Sequence, residues 1–298
     1  MFDNAFMKPT EIANDQDKKG EALKNQRFEM LTDIAKELSG EVVFPTYFDA
    51  VLRLRKVLHD PAETIANIAH AVSVEPLISA KLLHLANSVV FNPEGRELVD
   101  LKSAIHRLGL NAVRTASLSI VMTQLMRAKG MAEFSSITHS LWEHSIHCAA
   151  AANVIARQMT NQNADEAMLA GLIHDLGAFY MLYRATQYEE LRHRPESIKY
   201  LIVQWHESIG VSLLNALGLP DEIVEATIDH DHMRTTPTTI RNLADVIYVA
   251  NMLSSGHFEW LMQDQPELPI ELASIEEKYG YLRPEIEALA QEMRSSFA

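Results

Sequence analysis

The sequence predicts an all-α fold. Apolar residues recur at the 3.6-residue spacing of helices along most of the chain, no stretch keeps the period-two alternation of a half-buried strand, and glycine or proline follows most of the periodic segments. At 298 residues, 47% of them hydrophobic and 22% charged, the chain can bury a sizeable core as one large domain or two small ones.

Residues 1–20 are polar, charged or small without a sustained period and read as a mobile arm. Over 21–40, Leu23, Phe28, Leu31, Ile34, Ala35 and Leu38 fall at helical spacing, and Gly40 supplies a stop. This predicts an amphipathic helix that needs a partner surface. After Phe44-Pro45, Thr46 is the predicted N-cap of a helix with an apolar stripe of Phe48, Val51, Leu52, Leu54 and Leu58, interrupted at Asp60-Pro61. Ile65 to Val72 forms a short helix. Glu75-Pro76 opens the next, with Ile78, Leu82, Leu85 and Val89 as its buried face. Leu85-Ala86-Asn87-Ser88 ends it, because Asn and Ser side chains compete for backbone groups and suit a turn better than a ligand site.

Leu101 to Leu108 and Asn111 to Met126 are predicted helices made neighbours by the short turn Leu108-Gly109-Leu110. Lys102, Arg107, Arg114, Arg127 and Lys129 gather positive charge there, for which a solvated face is a simpler account than a partner surface. His139 to Met159 carries Trp142, His144, His147 and Cys148, then the small run Ala149 to Ala152 that lets another helix approach closely. After Asn161-Gln162-Asn163, a helix over Ala164 to Leu176 holds the doublet His174-Asp175 near its end, with Gly177 as its stop. A helix over Ser197 to Leu217 contains His206, and Leu217-Gly218-Leu219-Pro220 closes it and opens another that ends at Ile228-Asp229-His230-Asp231-His232. The last body helix, Thr239 to Leu253, contains Asp245 and Asn251, and residues 259–298 form an acidic helical tail.

Charge and cysteine content narrow the function. A formal charge of −14 argues against general nucleic-acid binding, since phosphate affinity comes from lysine and arginine, which are in deficit. The tail alone has nine acids against three bases. One cysteine, Cys148, excludes an intramolecular disulfide and any cysteine-rich zinc site. With no membrane-length apolar run and no signal peptide, the expected compartment is the cytoplasm. Any metal must then be held by His, Asp or Glu.

The chain offers such residues at separated helix positions: His144, then His174-Asp175, then His206, then His230 with Asp231 and His232. A lone histidine on an apolar helix is more often a core residue bonded to a carbonyl. Histidines recurring with an Asp near helix ends point instead to a divalent cation such as Zn²⁺, Mn²⁺ or Fe²⁺, whose bound water would attack a phosphorus centre.

The order of segments resembles the HDOD family, the HD-related output domains of bacterial signalling proteins. Phe44-Pro45, Leu85-Ala86-Asn87-Ser88, Leu108-Gly109-Leu110 and Leu141-Trp142-Glu143-His144-Ser145 carry the likeness, followed by Gly171 to Gly177, His206-Glu207-Ser208-Ile209-Gly210, Gly218-Leu219-Pro220 and His230-Asp231-His232. The likeness spans about residues 40 to 255. It implies a domain over 41–258, with an N-terminal helical part, 41–130, and a part related to HD metal-dependent phosphohydrolases, 131–258.

In active HD phosphohydrolases a first His, the His-Asp doublet and a distant Asp hold the metal, with further histidines for a second ion. His144, His174 and Asp175 match the first three positions, and His206 and His230 match the further histidines. Asn251 stands where the family has the distant Asp, and Ala178 where active relatives often have a Lys, so an anionic ligand and a phosphate-binding cation are both missing. Asp245 lies six residues before Asn251, well over a helical turn away.

Two classes of function follow. The favoured one is a non-catalytic regulatory output module that acts on a signalling protein partner and keeps a residual divalent-metal site for Fe, Mn, Zn or Mg. The other is a metal-dependent phosphohydrolase acting on a nucleotide, a cyclic (di)nucleotide or another phosphate ester, with Asp175 orienting the attacking water. Neither class calls for a membrane, and the sequence leaves the oligomeric state open.

Overall fold

The computed structural model describes residues 21–39, 49–58, 60, 62–254 and 270–297. The expected arm, the Thr46 cap and the first part of the tail lie outside the described residues. Within them the chain is all helix and connection, without a strand.

The N-terminal part contains α2 (Asp49–Leu58), α3 (Ile65–Ser73), α4 (Pro76–Asn87), α5 (Leu101–Leu108) and α6 (Leu110–Met126). Their starts follow capping chemistry: Thr64 accepts from the Asn67 N–H, Asp100 from the Ser103 N–H, and Pro76 sits in the first turn of α4, where its missing donor costs nothing. Gly109, at φ +80°, takes the left-handed turn between α5 and α6. Asn87 performs the turn role expected of it, donating to the Leu98 carbonyl at 2.7 Å while its own oxygen accepts from the Leu98 N–H at 2.7 Å. Val89, expected on the buried face of α4, is instead 76% exposed, because the helix stops at Asn87 and the face does not continue. Of the basic residues, Lys102, Arg107, Arg127 and Lys129 face solvent, while Arg114 is half-buried and donates to the Leu58 carbonyl.

The second part is built around α7 (Ser135–Met159), whose alanine run is completely buried. Helices α8 (Ala164–Ile173), α13 (Leu243–Leu253) and α15 (Arg283–Phe297) pack on it. At Gly171 the α7 and α8 backbones touch: a Cβ there would lie 2.8 Å from both Ala149 Cα and the Cys148 carbonyl oxygen. Asn163 caps α8 through the N–H groups of Asp165 and Glu166. Asn242 likewise caps α13, so this helix begins at Leu243 and not at Thr239 as its apolar period suggested.

The expected single helix over Ala164 to Leu176 is in fact two. Helix α8 ends at Ile173, Asp175 turns the chain at φ −100°, ψ 15°, and α9 (Leu176–Ala185) starts at once. Gly177 lies inside α9 and stops nothing; its role is close approach to α11 (Pro195–Ala216). A short helix, α10 (Glu189–Arg192), separates α9 from α11. Helix α11 ends as its Leu-Gly-Leu-Pro sequence predicts: Gly218 at φ +71° donates to the Asn215 carbonyl and Leu219 donates to the Leu214 carbonyl, before α12 (Asp221–Ala226).

Both flanking segments dock on this body. Helix α14 (Ile270–Tyr279) leads to α15, which buries Ile286, Leu289, Ala290 and Met293 against α7 and α4 and is pinned by Arg294 to Glu143 at 2.8 Å. Helix α1 (Glu21–Ser39) lies on α10 and α11, buried through Leu23, Met30 and Ile34. Phe28 and Ala35, expected on that face, point to solvent. The helix is rotated because its polar side chains also dock: Tyr180 donates to Glu37 at 2.5 Å, Tyr188 to Asp33 at 2.6 Å, and Arg27 to Ser197 at 2.6 Å. Arg184, buried, forms its ion pair with Glu37. Glu37→Ala would strand these two donors, and urea melts should show a loss of about 1 to 2 kcal/mol, toward the low end because Glu37 keeps some contact with water.

Candidate metal centre

Two helices, a break between two others and one turn deliver the predicted residues to one point. His144 projects from the middle of α7, and His206 from the middle of α11. His174 and Asp175 occupy the α8–α9 break, so adjacent residues address the same space from a turn and not from one helix face. His230 follows α12 in the turn Asp229–His232, where Asp229 adopts φ +57°, a left-handed conformation that Asp tolerates better than most residues. The Glu207 carboxylate, next to His206, accepts the Asp229 N–H at 2.7 Å and holds that turn against α11.

Each imidazole is fixed by its Nδ1. That atom lies 3.1 Å from the Ser254 carbonyl in His144, 2.8 Å from Gly171 in His174, 2.7 Å from Ile202 in His206 and 2.7 Å from Thr227 in His230. A carbonyl can only accept, so all four Nδ1 atoms carry protons and donate. In any of these rings that is neutral, Nε2 is then a bare lone pair. The Nε2 atoms of His144 and His174 face each other at 3.1 Å, and those of His206 and His230 at 3.5 Å. Two bare lone pairs so placed repel unless a proton or a cation lies between the nitrogens. This donor set, with each ring's second nitrogen anchored to a carbonyl, fits a bound divalent ion.

Asp175 sits between the two pairs. Its Oδ2 is 3.4 Å from His174 Nε2 and 3.7 Å from His144 Nε2, and its Oδ1 is 3.4 Å from both His206 Nε2 and His230 Nε2. Two three-donor groups result, His144–His174–Asp175 and Asp175–His206–His230, each with its atoms close enough to hold one ion. All five side chains are buried.

The charges respond accordingly. Burial, with the neighbouring His230 and His144, pushes His174 down to about 3 despite Asp175. Burial opposes protonation of His230 too, but Asp231 and Asp175 outweigh it and raise the ring to about 10. His206 is raised in the same way, chiefly by Asp231. Burial works against ionised Asp175, yet His174, His230 and His206 hold it well below the carboxylate range. Positive charge is thus demanded at the His206–His230 side, which a metal would satisfy as well as a proton. Cys148, buried beside the centre, is kept a thiol by burial and by the charges of Asp175 and Asp231.

The remaining expected positions divide. Asn251 lies at the edge of the centre, its Nδ2 donating to the His230 carbonyl at 3.1 Å and to Asp231 Oδ1 at 3.0 Å, while its own buried oxygen has no partner. Ala178 is fully buried and brings no charge. Asp245 is at the opposite end of α13, paired with Arg234 at 3.0 Å, and does not replace a carboxylate here. His232 is directed outward to Asp229, with its side chain 61% exposed. Sequence reasoning placed Asp231 beside His230 without giving it a ligand's role, and it missed the Ser254 carbonyl. An acid directly following a ligand histidine was the available signal for the first; nothing in the sequence marks the second.

The family model described as HDOD domain matches residues 44–233. Among solved structures, the chain is similar to a "putative metal-dependent phosphohydrolase" from Shewanella amazonensis SB2B, with a TM-score of 0.67 and 20% identity over 92% of this chain and 100% of that one. An HDOD domain protein with unknown function from Geobacter sulfurreducens gives 0.51 and 21% over 82% and 91%. A "putative signal transduction protein" from Marinobacter aquaeolei VT8 gives 0.51 and 16% over 95% and 68%. At these identities the likeness is one of fold. No curated protein matches the sequence.

Proposed function

We propose that this chain, which belongs to the HDOD family, is a non-catalytic output module of signal transduction that acts through protein contact, with a buried divalent-metal centre organising its second half. The observation that supports this reading most is a donor set that is assembled yet buried: His174 and His230 are each 1% exposed, and His206, Asp175 and His144 between 5% and 9%. A phosphate ester needs an open seat and a cation for its charge. Ala178 supplies none, and none of the five predicted donors pairs with a lysine or arginine among the described residues. Asn251 adds no anionic ligand. A bound ion would instead tie α7, the α8–α9 break, α11 and the turn after α12 to one point, making the arrangement of those helices depend on the metal.

The second reading, a metal-dependent phosphohydrolase, is favoured by the retention of all five matching donors. When bound, a divalent ion supplies Lewis acidity; the chain's part would be Asp175 positioning a water between the two donor groups.

Elemental analysis of the purified chain, followed by an assay of bis(p-nitrophenyl) phosphate with Mn²⁺, separates the two. The expected result is bound metal with no turnover above Mn²⁺ in buffer. Turnover that disappears in the His174→Ala/Asp175→Ala double variant would establish the enzyme and defeat the non-catalytic reading. Chelation should also lower the melting temperature, since an ion present at a hundred times its Kd stabilises by about 2.7 kcal/mol.

A further inference from the structure

We infer that Asp231 is a metal ligand which supplies, from the turn after α12, the carboxylate that Asn251 does not provide from α13. The inference rests on the metal-centre reading above and adds a residue and an asymmetry to it.

The geometry carries it in three steps. First, Asp231 Oδ2 lies 3.2 Å from His206 Nε2 and its Oδ1 lies 3.6 Å from His230 Nε2. These are the same two nitrogens that Asp175 Oδ1 approaches at 3.4 Å. On one side of the centre Asp231 thus approaches both imidazoles of the group Asp175–His206–His230, while the other side has the three of His144, His174 and Asp175.

Second, Asn251 is matched to this arrangement. Its Nδ2 reaches two acceptors, the His230 carbonyl and Asp231 Oδ1, which also fixes its amide orientation, because a flipped amide would set oxygen against both. A carboxylate at position 251 would likewise face a carbonyl and the Asp231 carboxylate with no donor between them. Asn at 251 and Asp at 231 are complementary, and the centre keeps two carboxylates although the charge sits on another element. Asn251 is then a positioning residue for Asp231.

Third, the turn is built to present both side chains. The left-handed Asp229, held through its N–H by Glu207, reverses the chain immediately before His230, so that His230 and Asp231 both reach His206 although they are adjacent in sequence. The Asp231 side chain is 16% exposed, more than any of the other donors, which places it at the rim where an ion would enter.

The test is metal stoichiometry after dialysis, by elemental analysis and Mn²⁺ titration read by electron paramagnetic resonance, on the full chain. Asp231→Asn keeps an acceptor for Asn251 and removes only the charge; Asp231→Ser serves as a second variant should the first fold poorly, and exposed His139→Ala as the control. Wild type should bind two ions. Asp231→Asn should keep one and bind the second at least about tenfold more weakly, since even residues outside the ligand set change metal affinity by that much. His139→Ala should match wild type. Two ions at unchanged affinity in the folded Asp231 variants would overturn the assignment while leaving the metal-centre reading intact. Loss of both ions from a folded variant would overturn the assignment to one half. A wild-type chain without metal would overturn both.

Discussion

Asp175→Asn is expected to empty the His144–His174 side of the centre and to weaken the other, while leaving its shape almost unchanged. The substitution is isosteric, and it removes the one charge both donor groups share: Oδ2 serves His144 and His174, and Oδ1 serves His206 and His230. The His144–His174 side would keep no anionic ligand and the His206–His230 side only Asp231, so at most one weakly held ion per chain should survive dialysis, the reverse of the side expected to be lost at Asp231. Stability should fall as well. Removing one partner from a buried ionic cluster costs about 3 to 5 kcal/mol, and the lower figure applies because His230 can shed its proton and Asp231 remains to balance it. For a domain of this size, roughly 2 to 4 °C per kcal/mol translates that into a drop in melting temperature on the order of 10 °C. Melting curves with and without chelator check both parts: the chelator should shift the variant's melting temperature less than the wild type's. Two ions retained in Asp175→Asn would refute the shared-ligand geometry.

The residues of the centre were legible in the sequence because their chemistry is unusual wherever it occurs, while their geometry was not, because it depends on tertiary contacts. Periodicity located the helices, and it recognised His144, His206 and His230 as candidates on separate elements. It could not see that His174-Asp175 is a break between two helices. Every residue from Ala167 through Leu182 is buried, apolar except at Gly171, His174-Asp175 and Gly177, and local pattern does not distinguish one helix from two that turn at a residue with ψ near 15°. The face of α1 was misjudged for a related reason. Phe28 looked like a core residue, but the helix docks through Asp33 and Glu37 to two tyrosines and Arg184, and polar docking leaves no trace in an apolar stripe. Asn251 was read as a lost ligand. Its contact with Asp231 is made across elements 20 positions apart and was out of reach of any spacing rule.

Gly177→Ala is expected to be a severely damaging addition of a single methyl group. A Cβ at that position would lie 2.0 Å from the His206 carbonyl oxygen, 2.6 Å from Gly210 N and 2.9 Å from Gly210 Cα. All three are backbone atoms of α11, so no side chain can rotate away and the helices α9 and α11 must separate by on the order of 1 Å, well beyond the tolerance of a close-packed interface. The cost should exceed about 3 kcal/mol, at or above the upper end of ordinary overpacking. The displaced residue is His206 itself, which faces Asp175 two residues before the substitution, so the ion shared by His206 and His230 should be lost even where the chain still folds. Gly210→Ala provides the contrast. Its Cβ would meet nothing nearer than Gly177 N at 3.5 Å, an ordinary contact, and replacing a mid-helix glycine by alanine is worth up to about 1 kcal/mol in helix propensity. One glycine of the pair should thus be indispensable and the other replaceable without loss. Urea melts and Mn²⁺ stoichiometry on the two variants decide it, and equal stability of Gly177→Ala and Gly210→Ala would show that the α9–α11 approach is looser than the backbone contact requires.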